Sequence, residues 1–337
     1  MKHNTMKALV QQAPGQDFVL SEMTLPVPTP GPGQLLVKID QVGLNPVDTK
    51  LAYGGHSAWQ WPHIPGLDAV GTVVDSHENK FALVGERVMW HGDLTRQGVL
   101  AEYAVIEAHA VTPLPASVSS YDAIALLCPG MTAGLSLCRL NIEPGQNLMI
   151  EAGSGAVGQL AIQLAKLKNA TVFTTARQQH HCALKKLGAD EVFDYTDPAI
   201  EQKIRRTLGT DQLDAVIDSI GGDTTARNIR LMRFSGQLAL LNGMPDIDPG
   251  LLFRKAPSVH IISLGGAWLS NDLCAQQQMA LKGNHLADLL SKKQLKPLTS
   301  HVIPFTADDV TRAMHRQMES GLFGKQIVDV EAADLSL

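Results

Sequence analysis

The pattern of hydrophobic and polar positions divides the chain into two parts. Up to about residue 125, short runs rich in β-branched residues are separated by turn residues. This pattern is typical of the short strands of a small barrel or sandwich. The runs are residues 35–39, 69–74, 87–90 and 103–106. The proline-rich segment 26–33 is expected to be an extended surface connection.

From about residue 145, short apolar runs alternate with helical patterns. The runs are residues 148–150, 171–174, 191–193, 215–217, 238–240 and 259–263. The helices between them are expected to begin near Val157, Gln178, Pro198 and Asp223. Such alternation predicts βαβ units and a parallel sheet. A longer helix over 272–291, a helix over 307–320 that Thr306 caps, and a strand at 327–328 are predicted beyond it.

Composition narrows the class of protein. Of 337 residues, 45% are hydrophobic and 18% are charged, and the formal net charge is -5. A mildly acidic chain without a basic cluster is not expected to bind nucleic acid. No run of about 18 apolar residues predicts a membrane span, and no N-terminal apolar run is long enough for a secretory signal. Four scattered cysteines do not form a disulfide framework, so we expect a cytoplasmic protein.

A glycine motif follows the first strand of the alternating segment. It reads Gly153-Ser154-Gly155-Ala156-Val157-Gly158 and precedes an amphipathic helix. In this context the motif predicts a dinucleotide site. We expect Gly153 to permit the tight turn, Gly155 to admit a pyrophosphate and Gly158 to let the helix pack on the sheet. The N-terminus of the helix then supplies N–H groups and a partial positive charge to the phosphates.

Residues after the second strand of this segment indicate NADP(H) rather than NAD. An NAD site carries a carboxylate about 20 residues beyond the first glycine. That position falls at residues 173–177, and no Asp or Glu occurs between Glu151 and Asp190. Arg177 is suited to a 2′-phosphate, with Thr175 as a hydroxyl donor. The alternative is that Arg177 is an exposed surface charge.

Several motifs, taken in their order along the chain, indicate a protein family. They are residues 43–48, 64–71, 85–88, 130–133, 153–158 and 187–190, with Gly324-Lys325 near the end. With them the chain resembles the medium-chain dehydrogenase/reductase superfamily, and most of all its zinc-free, zeta-crystallin-like NADPH:quinone oxidoreductase branch. The resemblance implies an α/β fold with a GroES-like β-rich catalytic domain, residues 1–125 and 300–337. It also implies a Rossmann domain with a doubly wound parallel sheet, residues 126–299, that binds NADP(H).

The resemblance also allows the metal ligands to be compared. Zinc alcohol dehydrogenases of this superfamily carry a Cys where this chain has Asn45 and a His where it has Leu67. Their third ligand, a Cys, matches Cys128. Leucine cannot coordinate a metal, and an amide oxygen is a weak ligand for Zn²⁺. We therefore expect no metal, while a metal held by Cys128 and Asp68 stays open as an alternative.

Catalytic roles follow only from the resemblance. It implies that Asn45 and Thr132 lie beside the nicotinamide and the acceptor oxygen, with Tyr53 near the acceptor as a hydrogen-bond or proton donor. The alternatives are a turn-forming Asn45, a helix-capping Thr132 and a Tyr53 that only forms the wall of the pocket.

Further positions are implied to contact the cofactor or to support the site. Tyr195 matches a tyrosine near the 2′-phosphate, and Lys325 a lysine near the cofactor. Asn242-Gly243 and Leu264-Gly265 match turns at the nicotinamide end. Asp48 matches a position that supports the metal site of the zinc enzymes and is expected to be structural here.

A function follows from these expectations. Without a Lewis acid, hydride transfer needs an acceptor that tolerates the developing negative charge. We therefore expect NADPH-dependent reduction of a quinone or an α,β-unsaturated carbonyl. A zinc-free reductase of enoyl thioesters and a non-catalytic NADPH-binding or sensor protein stay open. The resemblance also implies a homodimer through the edge strand of the Rossmann sheet, near residues 259–263.

Overall fold

The computed structural model describes residues 4–77, 84–319 and 321–331. The chain forms two compact units. The first unit combines Met1–Met131 with Leu264–Leu337, and the second unit is Thr132–Ser263. Segment 264–299, which we expected in the Rossmann domain, therefore belongs with the β-rich unit. Its long helix bonds to that unit, because Thr112 donates to the carbonyl of Ala280 and His109 pairs with Gln276.

The described strands and helices have these bounds. The strands are β1 Thr5–Val10, β2 Ser21–Pro26, β3 Gln34–Gly43, β4 Asp68–Ser76, β5 Arg87–His91, β6 Tyr103–Glu107, β7 Thr112–Pro113, β8 Asn147–Ile150, β9 Thr171–Thr175, β10 Glu191–Phe193, β11 Leu213–Asp218, β12 Met232–Leu240, β13 Ser258–Ile261, β14 Ser300–Pro304 and β15 Lys325–Asp329. The α-helices are α1 Pro46–Gly54, α2 Ser120–Arg139, α3 Ala156–Leu167, α4 His181–Leu187, α5 Ile200–Leu208, α6 Asp223–Leu231, α7 Pro249–Lys255, α8 Gly266–Leu269, α9 Leu273–Ser291 and α10 Ala307–Arg316.

The main sheet of the first unit is completed by the end of the chain. Its strand order is β14-β15-β3-β4-β5-β7, with β6 also paired to β3, and β1 and β2 form a separate hairpin. Strand β15 is antiparallel to β3 and parallel to β14. The predicted β-rich fold of this part is confirmed, and β14 and β15 from the end of the chain lie in its sheet.

The register of this sheet places polar residues of neighbouring strands opposite each other. Asp68 at the start of β4 lies directly opposite His91 at the end of β5. Gly43 at the end of β3 lies opposite Asp68 on one side and Ile327 of β15 on the other. Since paired residues of adjacent strands lie about 5 Å apart, side chains from β4, β5 and β15 meet at one end of the sheet.

The second unit is a doubly wound parallel sheet. Its strand order is β10-β9-β8-β11-β12-β13, and every pair is parallel. The order reverses between β8 and β11, which is the arrangement of a Rossmann fold. Residues that bind a ligand are expected at the carboxyl ends of the strands, here those of β8 and β9.

Helix α2 differs from the sequence prediction. We predicted no membrane-spanning run, yet this helix is long and apolar enough, by length and composition alone, to cross a membrane. Its apolar window is mostly buried inside the protein, as expected for a core helix. Pro129 lies within the helix, and the boundary between the two units falls between Met131 and Thr132.

Candidate active site

Asp68 is the centre of a buried polar cluster in the first unit. Its Oδ1 lies 2.6 Å from Nδ1 of His91, and its Oδ2 accepts from Nδ2 of Asn45 at 2.9 Å. The backbone N–H of Cys128 donates to the same Oδ2 at 3.3 Å. Asp68 is fully buried and His91 nearly so. The carboxylate is thus held by groups from α2, β5 and the loop before α1.

Lys325 supplies the positive charge of the cluster. Its Nζ donates to Oδ1 of Asn45 at 2.5 Å and lies 3.8 Å from Oδ2 of Asp68. The lysine side chain is only 3% exposed, so its ammonium is removed from bulk water. A Cβ on Gly43 would lie 3.1 Å from Cε of Lys325, so the glycine makes room for the lysine. The buried ammonium and the buried carboxylate compensate each other's charge. Each group needs this compensation to stay ionised away from water.

Asn45 uses its whole amide group inside the cluster. Its Nδ2 also donates to the carbonyl of Gly43 at 3.1 Å, in addition to Asp68. Because Oδ1 accepts from Lys325, the side chain orients the lysine and the carboxylate. Its direct contact with an acceptor stays a prediction.

Two carboxyl groups of the cluster have opposite pKa shifts. Burial by itself opposes ionisation of Asp68, but the charge and hydrogen bond of His91, with Lys325 and Asn45, lower its pKa overall. For Asp48, burial and the nearby charge of Asp68 raise the pKa to about 7. The cluster therefore contains one ionised carboxylate and one carboxyl group that holds its proton near neutral pH.

A zinc ion does not fit this cluster. The ligand atoms of Asp68, His91 and Cys128 lie within 4.8 Å of one another, which is close enough for a metal. The Asp68 carboxylate, however, already accepts three hydrogen bonds and faces the ammonium of Lys325. A divalent cation on this carboxylate would be repelled by that fixed charge.

The glycine motif of the second unit has the geometry of a cofactor loop. A Cβ on Gly153 would lie 2.1 Å from Oγ1 of Thr174, and one on Gly158 would lie 2.4 Å from the carbonyl oxygen of Ala152. Both glycines are therefore required by the fold itself. A Cβ on Gly155 would meet only one atom, at 3.5 Å, so the protein leaves this position open. That is the position at which a pyrophosphate approaches the N-terminus of α3, so the loop fits a dinucleotide.

Arg177 and Tyr195 meet beyond the carboxyl ends of neighbouring strands β9 and β10. Nε of Arg177 donates to the hydroxyl of Tyr195 at 2.7 Å, and both side chains are exposed. The two residues that we predicted at a 2′-phosphate are thus brought together. Their contact with a phosphate stays a prediction.

Thr175 is placed differently from the prediction. It is 1% exposed, and its hydroxyl donates to Oε2 of Glu151 at 2.6 Å. The side chain therefore belongs to the interior, and this placement argues against Thr175 as a hydroxyl donor to a phosphate. The pattern of alternating residues in β9 did not reveal that Glu151 lies beside it.

Two carboxylates near these strand ends are engaged by the protein. Glu151 also pairs with Arg227 and Nδ2 of Asn228. Asp194 accepts from the backbone of Gln178 and from Thr196. Both carboxylates therefore already accept hydrogen bonds from the protein, and the preference for a phosphorylated ribose stays a prediction.

Tyr53 and Thr132 lie outside the Asp68 cluster. The Tyr53 hydroxyl lies 3.3 Å from Nδ1 of His315, whose Nε2 faces the carbonyl of Phe18. Because a carbonyl only accepts, Nε2 carries the proton and Tyr53 donates to Nδ1. Thr132 lies inside helix α2, so it does not cap a helix. The catalytic roles of both residues stay predictions.

The remaining cofactor predictions fall in different units. Asn242 donates to the carbonyl of Ser219, and Gly243 adopts a φ of 83° in the loop after β12 of the second unit. Leu264 and Gly265 belong to the first unit, where a Cβ on Gly265 would lie 2.4 Å from Leu94. Lys325 lies in the first unit as well. Contact of these residues with a cofactor stays a prediction.

His91 is the functional residue that the sequence did not reveal. It follows a strand-forming run and has no motif around it. Its only signal is the pairing of β4 with β5, which places it opposite Asp68. Neither strand's own residues determine this register, so the pairing of His91 with Asp68 could not be predicted from them.

Comparisons with known proteins agree with the two units. Residues 31–116 match the model of the alcohol dehydrogenase GroES-like domain, and residues 156–279 match the model named zinc-binding dehydrogenase. The second match contains none of Asp68, His91 and Cys128, so its name says nothing about this cluster.

Similar proteins cover most of the chain. A chloroplast envelope quinone oxidoreductase homolog of Arabidopsis thaliana is 32% identical over 241 residues, 68% of this chain and 71% of the relative. Chloroplastic quinone-oxidoreductase QR1 of Triphysaria versicolor is 29% identical over 92% of this chain and 94% of its own. The solved quinone oxidoreductase of Coxiella burnetii has a TM-score of 0.81 and 25% identity over 97% of this chain and all of its own.

The chain belongs to the quinone oxidoreductase branch of the medium-chain dehydrogenase/reductase superfamily. It is an oxidoreductase of that superfamily, which implies a nicotinamide cofactor and a small-molecule substrate. The cytoplasmic location stays a prediction, since the plant relatives are described as chloroplast proteins.

Proposed function

We propose that the protein is a zinc-independent reductase that transfers hydride from NADPH to a quinone or an α,β-unsaturated carbonyl. The observation that carries this proposal is the buried ammonium of Lys325, held by Asn45 beside Asp68. At the positions where zinc enzymes of the superfamily carry thiolate and imidazole, this chain has Asn45 and Leu67. The cation of the cluster is therefore a side chain.

The chemistry of a fixed ammonium favours one class of acceptor. A Lewis acid makes an alcohol hydroxyl acidic enough to lose hydride from its carbon, whereas an ammonium does not. Quinones and conjugated carbonyls need only electrostatic stabilisation of an oxygen that gains negative charge. The buried positive charge of Lys325 provides such stabilisation at low dielectric.

NADPH, when bound, supplies the hydride and both electrons. The chain contributes the open Gly155 position and the N-terminus of α3 for the pyrophosphate. Arg177 and Tyr195 contribute a guanidinium and a phenol for the 2′-phosphate. These placements support NADPH over NADH.

The acceptor class can be tested by steady-state turnover. The assay follows NADPH oxidation with 1,4-benzoquinone, 9,10-phenanthrenequinone and an alkenal, each repeated with NADH. Simple primary and secondary alcohols with NADP⁺ serve as the control. We expect reduction of at least one conjugated acceptor, NADPH preferred, and no alcohol oxidation. Alcohol oxidation without turnover of any conjugated acceptor would contradict the proposal.

We also propose that two chains associate through β13. This strand forms one edge of the second unit's sheet, and Val259 and Ile261 on it are 36% and 56% exposed. An apolar edge strand with unpaired backbone groups tends to pair with another chain. We expect Ile261→Lys to convert a dimer into a monomer, as measured by size-exclusion chromatography with light scattering.

The control for this variant is Val302→Lys. Val302 is 53% exposed on β14, which lies at the edge of the sheet in the first unit. The Val302→Lys variant places a lysine on a different exposed edge strand, and we expect it to leave the dimer intact. A dimer that survives Ile261→Lys, or a monomeric parent protein, would contradict the proposed interface.

A further inference from the structure

A small cavity lies next to the Asp68 cluster in the first unit. Its volume is about 10 Å³, and Asp48, His63 and Leu67 line it. Leu51 and Leu94 form part of the apolar wall. A cavity of this size holds about one water molecule, or a single oxygen atom of a ligand.

Asp48 lines this cavity and has one carboxyl oxygen that is not used in a hydrogen bond. Its Oδ2 accepts from the backbone N–H of Asn45 at 2.7 Å, as expected for an acidic residue in the first turn of α1. Its Oδ1 is buried and has no hydrogen-bond partner among the described residues. Support of the helix N-terminus thus explains one carboxyl oxygen and leaves the other unexplained.

The environment of Asp48 keeps a proton on the carboxyl group. Burial is the main cause of its raised pKa of about 7, and the negative charge of Asp68 on β4 adds to it. The Asn45 N–H, Lys325 on β15 and His91 on β5 act in the opposite direction. Because Oδ2 is already an acceptor, the proton resides on Oδ1.

His63 lines the same cavity and also has a buried polar atom that is not used in a hydrogen bond. It is 2% exposed, and its Nδ1 has no hydrogen-bond partner within the described part of the chain. Burial lowers the pKa of His63 to about 4, so the ring is neutral. The ring is stacked on Trp59, with the ring centroids 3.6 Å apart. In the tautomer that carries its proton on Nδ1, the imidazole is a donor held in place by this stacking.

The remaining charged residue at the cavity is already paired. Arg96 also lines it, but its guanidinium lies 3.1 Å from Glu107 and 3.5 Å from Asp93. Two neutral donors, the carboxyl of Asp48 and the imidazole of His63, therefore face a space for one oxygen atom. Such a pair suits an oxygen that becomes negatively charged.

We propose that this cavity receives the acceptor oxygen and that Oδ1 of Asp48 donates the proton that completes the reduction. The proposal rests on the proposed function. A hydride supplied by bound NADPH would leave the acceptor as an oxyanion and the cofactor as NADP⁺. The Asp48 carboxyl would then give its proton to that oxyanion and so form a hydroxyl group. Asp48 is left as a carboxylate, which takes a proton from solvent before the next turnover. His63 holds the same oxygen by its Nδ1–H.

The test uses Asp48→Asn in the full-length protein. The amide keeps an acceptor for the Asn45 N–H but has no acidic proton. General acids of this kind contribute about 100-fold or more to turnover. We expect kcat for 1,4-benzoquinone to fall on the order of 100-fold, with a smaller fall for its tetrachloro derivative, whose product oxyanion is less basic. Binding of NADPH, measured by fluorescence titration, is expected to be unchanged.

The pH profile gives a second readout. Since the protonated carboxyl is the active form, kcat of the parent protein is expected to decrease as pH rises above about 7. The Asp48→Asn variant is expected to lack that decrease. Asp40→Asn is the matched control, because burial raises the pKa of Asp40 to about 6 and this residue does not line the cavity. We expect it to keep the parent turnover and pH profile.

The pH dependence of protein stability tests whether Asp48 is protonated, and this test does not depend on catalysis. The folded state holds the Asp48 proton up to about pH 7, whereas the unfolded state releases it near 3.8. The folded state therefore binds more protons in this interval, and the parent protein loses stability relative to Asp48→Asn as pH rises through it. Identical pH dependence of unfolding in both proteins would show that Asp48 is not protonated and would overturn the proposal.

His63→Phe tests the second donor. Phenylalanine can keep the stacking on Trp59 and removes Nδ1. We expect a raised KM for quinone, with the decrease of kcat above pH 7 retained.

The proposal is overturned if Asp48→Asn keeps the parent pH profile or loses equal activity with both quinones. If the parent protein reduces no conjugated acceptor at all, the proposed function itself fails, and this inference fails with it.

Discussion

Replacing Lys325 by methionine is expected to lower the free energy of unfolding by about 3–5 kcal/mol. The change removes the ammonium that lies beside the carboxylate of Asp68 and leaves that carboxylate buried with less compensation. It also leaves Oδ1 of Asn45 without its donor. Turnover of a quinone is expected to fall on the order of 100-fold, because the fixed charge near the developing oxyanion is lost. Chemical denaturation and steady-state kinetics measure the two effects.

Two controls separate the buried charge from the loss of a lysine as such. Lys292→Met removes an exposed lysine that pairs with Asp288 on α9, and such surface pairs contribute about 0–1 kcal/mol. The double variant Lys325→Met/Asp68→Asn removes both buried charges and is expected to regain much of the lost stability. A double variant as unstable as the sum of the two single variants would contradict an ion pair at this position.

The second large effect is expected from Arg177→Ala. Loss of a charge-assisted contact costs about 1.5–3 kcal/mol, so the KM for NADPH is expected to rise about 10- to 100-fold. NADH has no 2′-phosphate, and its KM is expected to stay nearly unchanged. Because the exposed guanidinium of Arg177 lies beside Tyr195, we expect the cofactor preference to depend on this residue.

Arg233→Ala is the matched control for the cofactor. Arg233 pairs with Asp214 near the amino ends of β12 and β11, away from the strand ends that carry Arg177. It is expected to leave the KM of both cofactors unchanged. Equal changes with NADPH and NADH in Arg177→Ala would remove Arg177 from the phosphate site.

Much of the fold was predictable because it depends on local periodicity. The alternating runs predicted all six strands of the second unit's sheet, and Thr306 caps α10 as predicted. The prediction failed where tertiary burial outweighs local pattern. Helix α2 contains Pro129 and two glycines, and from the sequence only a helix following Thr132 was considered there. Segment 264–299 was assigned to the other domain, since helix periodicity does not reveal which sheet a helix contacts.

The sequence predicted several residues of the candidate site, but it did not predict their hydrogen-bond partners. Asn45 and Lys325 were singled out by motifs, but their hydrogen bond joins positions 280 residues apart. His91 and the unused atoms of Asp48 and His63 depend on strand register and cavity shape. Thr175 shows the converse, because a residue in the expected position proved to be buried against Glu151. Motifs identify residues, and long-range packing decides what each one contacts.

The central claim is that a side-chain cation, and no zinc ion, serves this reductase. The most direct measurement is NADPH-dependent reduction of 1,4-benzoquinone by protein stripped with a chelator, with its metal content determined on the same sample. The account predicts that kcat is unchanged by stripping and that added Zn²⁺ does not raise it. Activity that disappears on stripping and returns with one equivalent of Zn²⁺ would contradict the account.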